Sequence, residues 1–341
     1  MEKKFELLTD DCIQDGERTL YRIRALKGFI GVEKGELGGY VECEENLSQD
    51  GNAWVSGNAR VYGDARVFDN ARVEDKAQVR GEAQVGANAK VGILAQISGK
   101  ALICGDAYVG GDAQVSGNAT VTDNAKVQNS AMVFGNTFLT GNAYVGGNSR
   151  VGCYAQIGGD ALVEDEVHVY GSARVEGHAQ VSGNAYLCGN VYVYGNAKIY
   201  GNTDVADHAQ VGGNAVICGN VQIGEFALIE DDAYIFGNAQ ICGHARVRGK
   251  AQVCGNAVVK GTAEIRQTKD LQVFFGIGSD DSCLTAYRTI ERNVELTCGD
   301  FQGSLEAFKE TIEKNYADNS KVRHSFELLL EQIKVWFDLK N

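Results

Sequence analysis

Apolar residues recur with a period of six along most of this chain. From Val55 to Ile265, every sixth residue is valine, isoleucine or leucine, at 36 positions out of 36. The residue two places earlier is alanine at 30 of these positions. A short period sustained over this length is typical of a β-helix, a solenoid in which each coil contacts only its neighbours.

The repeated phrase divides into a strand of four residues and a corner of two. In Ala59-Arg60-Val61-Tyr62, alternation places alanine and valine on the inner side of the strand. The next pair, Gly63-Asp64, consists of residue types that adopt positive φ at little cost, so it predicts a corner. Three such phrases, each with one strand and one corner, close one coil. The 36 phrases therefore predict an all-β solenoid, a three-sided parallel β-helix of about twelve coils.

The segments outside the repeat predict two further domains. We assign residues 1–46 to an N-terminal β cap, 47–268 to the β-helix and 269–341 to a C-terminal α+β module. The module is predicted to contain a turn at 277–281, a helix after the N-cap residue Ser304, a second helix at about 320–339, and three short strands at Leu271–Gly276, Leu284–Ile290 and Val294–Cys298. Because an open solenoid end exposes backbone and core, we expect the second helix to pack on the last coil or on a second subunit.

The charge and the apolar runs exclude two classes of partner. The net charge is −13 and no basic stripe occurs, so nucleic acid is not an expected partner. The sequence has no apolar run long enough to span a membrane and no signal peptide, so we expect a cytoplasmic protein that makes no membrane contact.

The ten cysteines predict neither disulfides nor a metal site. Five of them directly follow a core residue and should face outward: Cys104, Cys188, Cys218, Cys242 and Cys254. Those that share a position in the coil do not fall on adjacent coils, where a disulfide could form. No CxxC pair or Cys/His cluster occurs, so we expect free thiols and no bound metal.

The histidines are the residues best suited to act as a general base. His178, His208 and His244 occupy corners, and we interpret them as turn residues because histidine tolerates the left-handed conformation. His168 faces outward on a strand, with Tyr170 and Tyr186 predicted nearby, and is the strongest catalytic candidate. However, no loop interrupts the repeat to enclose a substrate, so we expect no catalytic site and no cofactor.

Three phrases depart from the common form. At 91–95, 151–155 and 223–227 the glycine moves one place earlier and an apolar residue enters the corner. We predict that these changes alter the turn type and do not create a site.

One set of outward apolar residues shares a face of the predicted coil. It predicts a contact surface for a protein partner or for self-association, because apolar residues grouped on a surface are typical of interfaces. The set comprises Leu162, Val216, Cys218, Tyr234, Phe236 and Cys254.

The N-terminal part of the repeat resembles a known family. The run from Lys34 to Val41 (KGELGGYV), followed by Glu45 to Val55 (ENLSQDGNAWV), looks like the YdcK-like proteins, which are bacterial and prophage-encoded. The resemblance implies the left-handed β-helix of the hexapeptide-repeat superfamily. Such proteins are often described as acyltransferases by analogy of fold, a description that assigns no site.

Two functions remain open at the level of the sequence. The first is a non-enzymatic binding or scaffold protein, forming homo-oligomers or binding a host or phage protein. The alternative is a trimeric acyltransferase that uses acyl-CoA, with its site between subunits as the resemblance implies.

Overall fold

The computed structural model describes residues 3–277, 282–317 and 320–339. Contacts between Cα atoms divide the chain into two compact units, residues 1–178 (unit 1) and residues 179–341 (unit 2). Each unit contains part of the β-helix together with one end of the chain, and each is described by itself.

Unit 1 begins with an antiparallel hairpin of strands Phe5–Asp15 and Arg18–Ala25. A third strand, Leu37–Val41, pairs antiparallel with the hairpin and parallel with Arg60–Val61 of the first regular coil. After a 3₁₀ turn at Glu44–Asn46, Leu47 forms a parallel bridge with Val67. This segment therefore adds an irregular turn before the repeat, which gives about thirteen turns where the sequence predicted about twelve.

The coils of unit 1 form three parallel faces, named A, B and C. Neighbouring strands pair with a shift of three phrases, for example Val115 with Val133, which confirms the predicted coil length. The strands of face A are Leu37–Val41, Arg60–Val61, Gln78–Val79, Gln96–Ile97, Gln114–Val115, Met132–Val133, Arg150–Val151 and His168–Val169. Those of face B are Arg66–Val67, Gln84–Val85, Leu102–Ile103, Thr120–Val121, Phe138–Leu139, Gln156–Ile157 and Arg174–Val175. Those of face C are Trp54–Val55, Arg72–Val73, Lys90–Val91, Tyr108–Val109, Lys126–Val127, Tyr144–Val145 and Leu162–Val163.

Unit 2 repeats the same three-faced arrangement. Its face A contains Tyr186–Leu187, Asp204–Val205, Gln222–Ile223, Gln240–Ile241 and Val258–Val259. Its face B contains Tyr192–Val193, Gln210–Val211, Leu228–Ile229, Arg246–Val247 and Glu264–Ile265. Its face C contains Gln180–Val181, Lys198–Gly201, Val216–Gly219, Tyr234–Ile235 and Gln252–Val253.

The interior of the coils consists of the predicted alanine and valine, isoleucine or leucine positions, which are buried. Two of the exceptions to alanine in unit 1, Thr137 and Ser149, are buried as well. Their hydroxyls donate to backbone oxygens three residues earlier, at 2.5 Å for Phe134 and 2.6 Å for Gly146. These substitutions are tolerated because a buried hydroxyl costs little when it is hydrogen-bonded.

The corners keep one backbone conformation, so the predicted change of turn type is wrong. Ile93, Cys153 and Glu225 have φ of 61°, 62° and 55°, the left-handed region that glycine occupies at the same position of other phrases. The backbone N–H groups of Ile93 and Glu225 each donate to a carboxylate one coil earlier, of Asp75 and Asp207, at 2.9 Å. This hydrogen bond helps to hold a conformation that is unfavourable for side chains with a Cβ atom.

The C-terminal part of unit 2 is an antiparallel sheet followed by helices α1 (Leu305–Asn315) and α2 (Ser320–Trp336). The sheet has four strands, Leu271–Ile277, Ser282–Arg288, Val294–Cys298 and Phe301–Ser304, where the sequence predicted three. Ser304 caps α1 by accepting from the N–H of Ala307, as predicted. The predicted turn at 277–281 lies outside the described residues except for Ile277.

The sheet, and not the second helix, packs on the last coil. The hydroxyl of Thr285 accepts from the backbone N–H of Val258 at 2.9 Å, and the hydroxyl of Thr297 donates to its carbonyl at 2.5 Å. α2 packs on the opposite side of the sheet through Phe326 and Ile333. The packing of α2 on the last coil was therefore a wrong prediction within this chain, because the open coil end needs polar partners for its backbone.

Candidate interaction surface

Five of the six predicted surface residues lie together on face C of unit 2. The sixth, Leu162, lies on face C of unit 1, on a strand that pairs with Tyr144–Val145. The group in unit 2, with one further residue described below, is termed the apolar strip. It consists of Tyr200, Val216, Cys218, Tyr234, Phe236 and Cys254, all of them partly or largely exposed.

Direct contacts order the centre of the apolar strip. The rings of Tyr234 and Phe236 stack with centroids 4.8 Å apart and an interplanar angle of 26°. The Sγ atom of Cys218 lies 3.5 Å from the Oη atom of Tyr234. Hydrogen bonding with Cys218, followed by proximity to its thiol, raises the pKa of Tyr234 to about 12. The pKa of Tyr200 is raised as well, first by hydrogen bonding with Cys218 and then by burial.

Two strands beneath the strip are longer than the two-residue strands of the other coils in unit 2. Strands Lys198–Gly201 and Val216–Gly219 have four residues each, and all four positions pair in register. Beside them runs a ladder of corner asparagines, in which each amide donates to the next at 2.9 to 3.0 Å, from Asn184 through Asn202, Asn220 and Asn238 to Asn256. The strip therefore lies on a flat and regular support.

Two aromatic residues of this surface were missed in the sequence. Tyr200 is 41% exposed and pairs with Cys218 one coil later, so the coil period alone should have found it. Phe275 is 61% exposed and belongs to the first strand of the C-terminal sheet. Its ring lies over Gly255, directly after Cys254, which extends the apolar surface beyond the last coil. No repeat signal could place Phe275, because it lies outside the period of six.

Other outward aromatic residues have a structural explanation. Phe134 in unit 1 lies over Gly152, one coil later, so that a Cβ atom on this glycine would meet the ring at 2.6 Å. In unit 2, Tyr194 covers Gly212 in the same way, and its hydroxyl donates to Glu230 at 2.5 Å. Burial, followed by the hydrogen bond with Glu230, raises the pKa of Tyr194. An aromatic ring over a strand glycine shields exposed backbone and stabilises the sheet.

The strongest catalytic candidate, His168, lies on face A of unit 1. It is partly buried, and its ring centroid is 5.6 Å from that of Tyr170, which in turn lies 6.1 Å from Phe134. The structure therefore places this histidine in an aromatic group on a strand. That His168 has no catalytic role stays a prediction.

Two of the three corner histidines continue polar ladders, and His208 and His244 also stack on the two sides of the Phe226 ring, each with centroids 5.0 Å apart. His178 and His208 occupy the second corner position and do not adopt the left-handed conformation, so the reason predicted for them is wrong. The Nδ1 atom of His178 lies 3.2 Å from a carboxylate oxygen of Asp160, and that of His208 lies 3.3 Å from the amide of Asn190. These rings replace asparagine because they continue the hydrogen-bonded ladder between coils.

A shallow acidic depression lies on face A of unit 2, lined by Asp204, Asp207, Glu225 and Cys242 among others. Burial, followed by the neighbouring Asp207, raises the pKa of Asp204. Within residues 3–277, 282–317 and 320–339, no three His, Cys, Asp or Glu side chains are arranged to hold a metal ion. All ten cysteines are free thiols.

Comparisons with known proteins agree with this architecture. A model of the YdcK β-solenoid repeat matches residues 53–67, 65–81 and 113–128. No curated protein matches the chain significantly. Neither helix of the described residues is long and apolar enough to cross a membrane.

Several solved structures are similar to parts of the chain. The UDP-N-acetylglucosamine acyltransferase from Campylobacter jejuni has 19% identity over 45% of this chain and 68% of that protein, with a TM-score of 0.42. The corresponding Arabidopsis enzyme has 15% identity over 57% and 70% of the two chains, with a TM-score of 0.29. LpxA from Acinetobacter baumannii has 13% identity over 48% and 69%, with a TM-score of 0.22.

The three-faced coils, paired in register from one coil to the next, define a three-sided parallel β-helix built from a six-residue repeat. Within this class, its matched repeats are those of the YdcK β-solenoid.

Proposed function

We propose that this protein is a non-catalytic binding protein that uses the apolar strip of unit 2 as a contact surface for protein. The observation that carries the proposal is the row Tyr200, Cys218, Phe236 and Cys254, which places apolar side chains at the same outward position of successive coils. Apolar side chains grouped on a rigid surface stabilise an interface when a partner removes them from water.

The regular register supports a binding role over catalysis. Strand pairing keeps the same shift of three phrases within each unit, so the coils leave no room for an inserted loop that would enclose a substrate. Small-molecule sites are concave and bury most of their ligand, which a flat sheet face does not provide. The protein is therefore expected to show no saturable binding of acetyl-CoA in calorimetry, and micromolar binding would instead support an acyltransferase.

The test of the binding role is capture of proteins from a lysate of the native host by three forms of the chain. The wild type is compared with the double variant Tyr234→Ser and Phe236→Ser, and with Leu228→Ser as a control. Leu228 is a partly buried, outward apolar residue on face B of the same unit. We expect at least one protein to be retained by the wild type and the control and lost by the double variant. An untagged copy of this chain would count as such a protein. The same set of captured proteins for all three forms would contradict the proposal.

A further inference from the structure

Large and small side chains alternate along the apolar strip. Tyr200, Cys218, Phe236 and Cys254 occupy equivalent positions of successive coils, so each lies one coil beyond the last. Adjacent coils are separated by ~4.8 Å, the spacing of hydrogen-bonded strands. The strip thus presents a row of ridges and hollows with the spacing of the coils.

The apolar strip of one copy is complementary in shape to the same strip of a second copy. A two-fold axis that lies in the plane of contact, parallel to the strands of face C and between Cys218 and Phe236, turns the two faces toward each other and reverses the order of the row. It places Tyr200 opposite Cys254 of the second copy and Cys218 opposite Phe236, so that each large side chain faces a small one. The spacing agrees because both surfaces have the same coil repeat. Such an isologous contact also brings thiols against aromatic rings, a favourable pairing.

The apolar strip is a surface on which the net charge of the chain opposes self-association least. The net charge of −13 makes two copies repel each other, which disfavours contact through acidic surfaces. The residues of the apolar strip are uncharged, and the asparagine ladder beside it is neutral. A basic partner would be attracted to the acidic surfaces and not to this face.

We propose that two copies of this chain associate through the apolar strip about that two-fold axis. The inference rests on the proposed binding role of the strip and names its partner. A stable complex buries roughly 800 Å² per partner, more than a row of four side chains provides. The dimer is therefore weak and depends on concentration, with Phe275 of each copy at the margin of the contact.

The first experiment exchanges the large and the small side chain at positions 218 and 236. It measures association by sedimentation equilibrium over an about hundredfold range of concentration. The wild type moves from monomer to dimer. Cys218→Phe places two large side chains opposite each other at both central positions of the contact and weakens association at least tenfold, by about 1.4 kcal/mol. Adding Phe236→Cys restores the large-to-small pairing and returns association to near the wild-type level. Circular dichroism confirms that each variant is folded.

The second experiment traps the contact covalently. Tyr200→Cys combined with Cys218→Ser places the introduced thiol opposite Cys254 of the second copy and leaves no cysteine at the same position of the adjacent coil in its own chain, so mild oxidation yields a covalent dimer. Adding Cys254→Ser removes this cross-link. A dimer that responds to neither the exchange nor oxidation would overturn the proposed interface.

A wild type that stays monomeric across the range would overturn the second copy as the partner. Capture of a different protein that depends on Tyr234 and Phe236 would then leave the binding role standing. If the wild type stays monomeric and no protein is captured through Tyr234 and Phe236, the binding role is overturned as well.

Discussion

Outward aromatic residues occupy two different settings in this molecule. In unit 1, Phe134 lies over Gly152, which has no side chain to oppose the ring. In unit 2, the residue one coil after Phe236 is Cys254, and the residue one coil after Tyr200 is Cys218. Phe134 and Phe236 are both partly buried, so they differ in the residue one coil later and not in their class of exposure. We expect the ring over glycine to stabilise its own coils and the ring beside a larger side chain to contact a partner.

The difference follows from the absence of a Cβ atom in glycine. A strand glycine leaves its backbone open to water, and a neighbouring ring restores the lost burial. In the apolar strip, the cysteine side chains fill the positions that glycine leaves open in unit 1. The aromatic residues of the strip are therefore better candidates for contact than those over glycine.

The largest expected effect comes from filling the space beneath a ring. Gly152→Leu is expected to destabilise the protein by ~1–3 kcal/mol because its Cβ atom would meet Phe134 at 2.6 Å and displace the ring. Cys254→Leu, in the strip, is expected to change stability by less than about 0.5 kcal/mol. Urea unfolding followed by circular dichroism measures both. Equal losses would remove the distinction between the two settings.

A smaller effect is expected at the corners, where glycine matters because it adopts positive φ and not because it leaves space for a ring. Ile93 is half-exposed and has a φ of 61°, so Ile93→Gly is expected to stabilise unit 1 by about 0.5–1 kcal/mol through relief of backbone strain. Gly99→Ala should do the reverse, since Gly99 has a φ of 69° and its Cβ atom would meet Gly117 at 2.8 Å. Gly152 lies outside the left-handed region, so its role is space alone. A loss of stability in Ile93→Gly would argue against corner strain.

The smallest effect is a dependence on alkaline pH. The pKa of Tyr194 and that of Tyr234 are raised above the ordinary value of 10.0, to about 12 for Tyr234. The folded state therefore holds protons that the unfolded state releases, and stability falls as pH rises above about 10. Melting temperatures between pH 9 and about 12 test this, and Tyr194→Phe and Tyr234→Phe should each flatten the decline. An unchanged slope in both variants would contradict the assignment.

Much of the fold could be predicted because one period controls both burial and pairing. The alternation within each phrase places Ala113 and Val115 inside, and the period of three phrases fixes their neighbours. The corner at Ile93 was not predicted because turn preferences assign the left-handed position to glycine, and the contribution of Asp75 one coil away is not local. The position of Tyr200 was available from the same period and was overlooked.

The C-terminal part was harder to predict because it has no repeat. Its fourth strand follows a short turn at Gly299 and was not predicted. The covering of the last coil depends on Thr285 and Thr297, whose hydroxyls bind the backbone of Val258. The sequence analysis predicted an apolar helix as the cap, but apolar side chains cannot satisfy unpaired N–H and C=O groups. Phe275 joins the apolar surface only through this packing.

The most direct test of the account compares Phe134→Ala with Phe236→Ala, measuring the melting temperature and the solution mass of each variant. We predict that Phe134→Ala lowers the melting temperature because it uncovers Gly152, and leaves association unchanged. Phe236→Ala should weaken association and leave the melting temperature of the dilute protein close to that of the wild type. A variant pair with the opposite behaviour, or with equal melting temperatures and equal association, would contradict the distinction between covering and contacting aromatic residues.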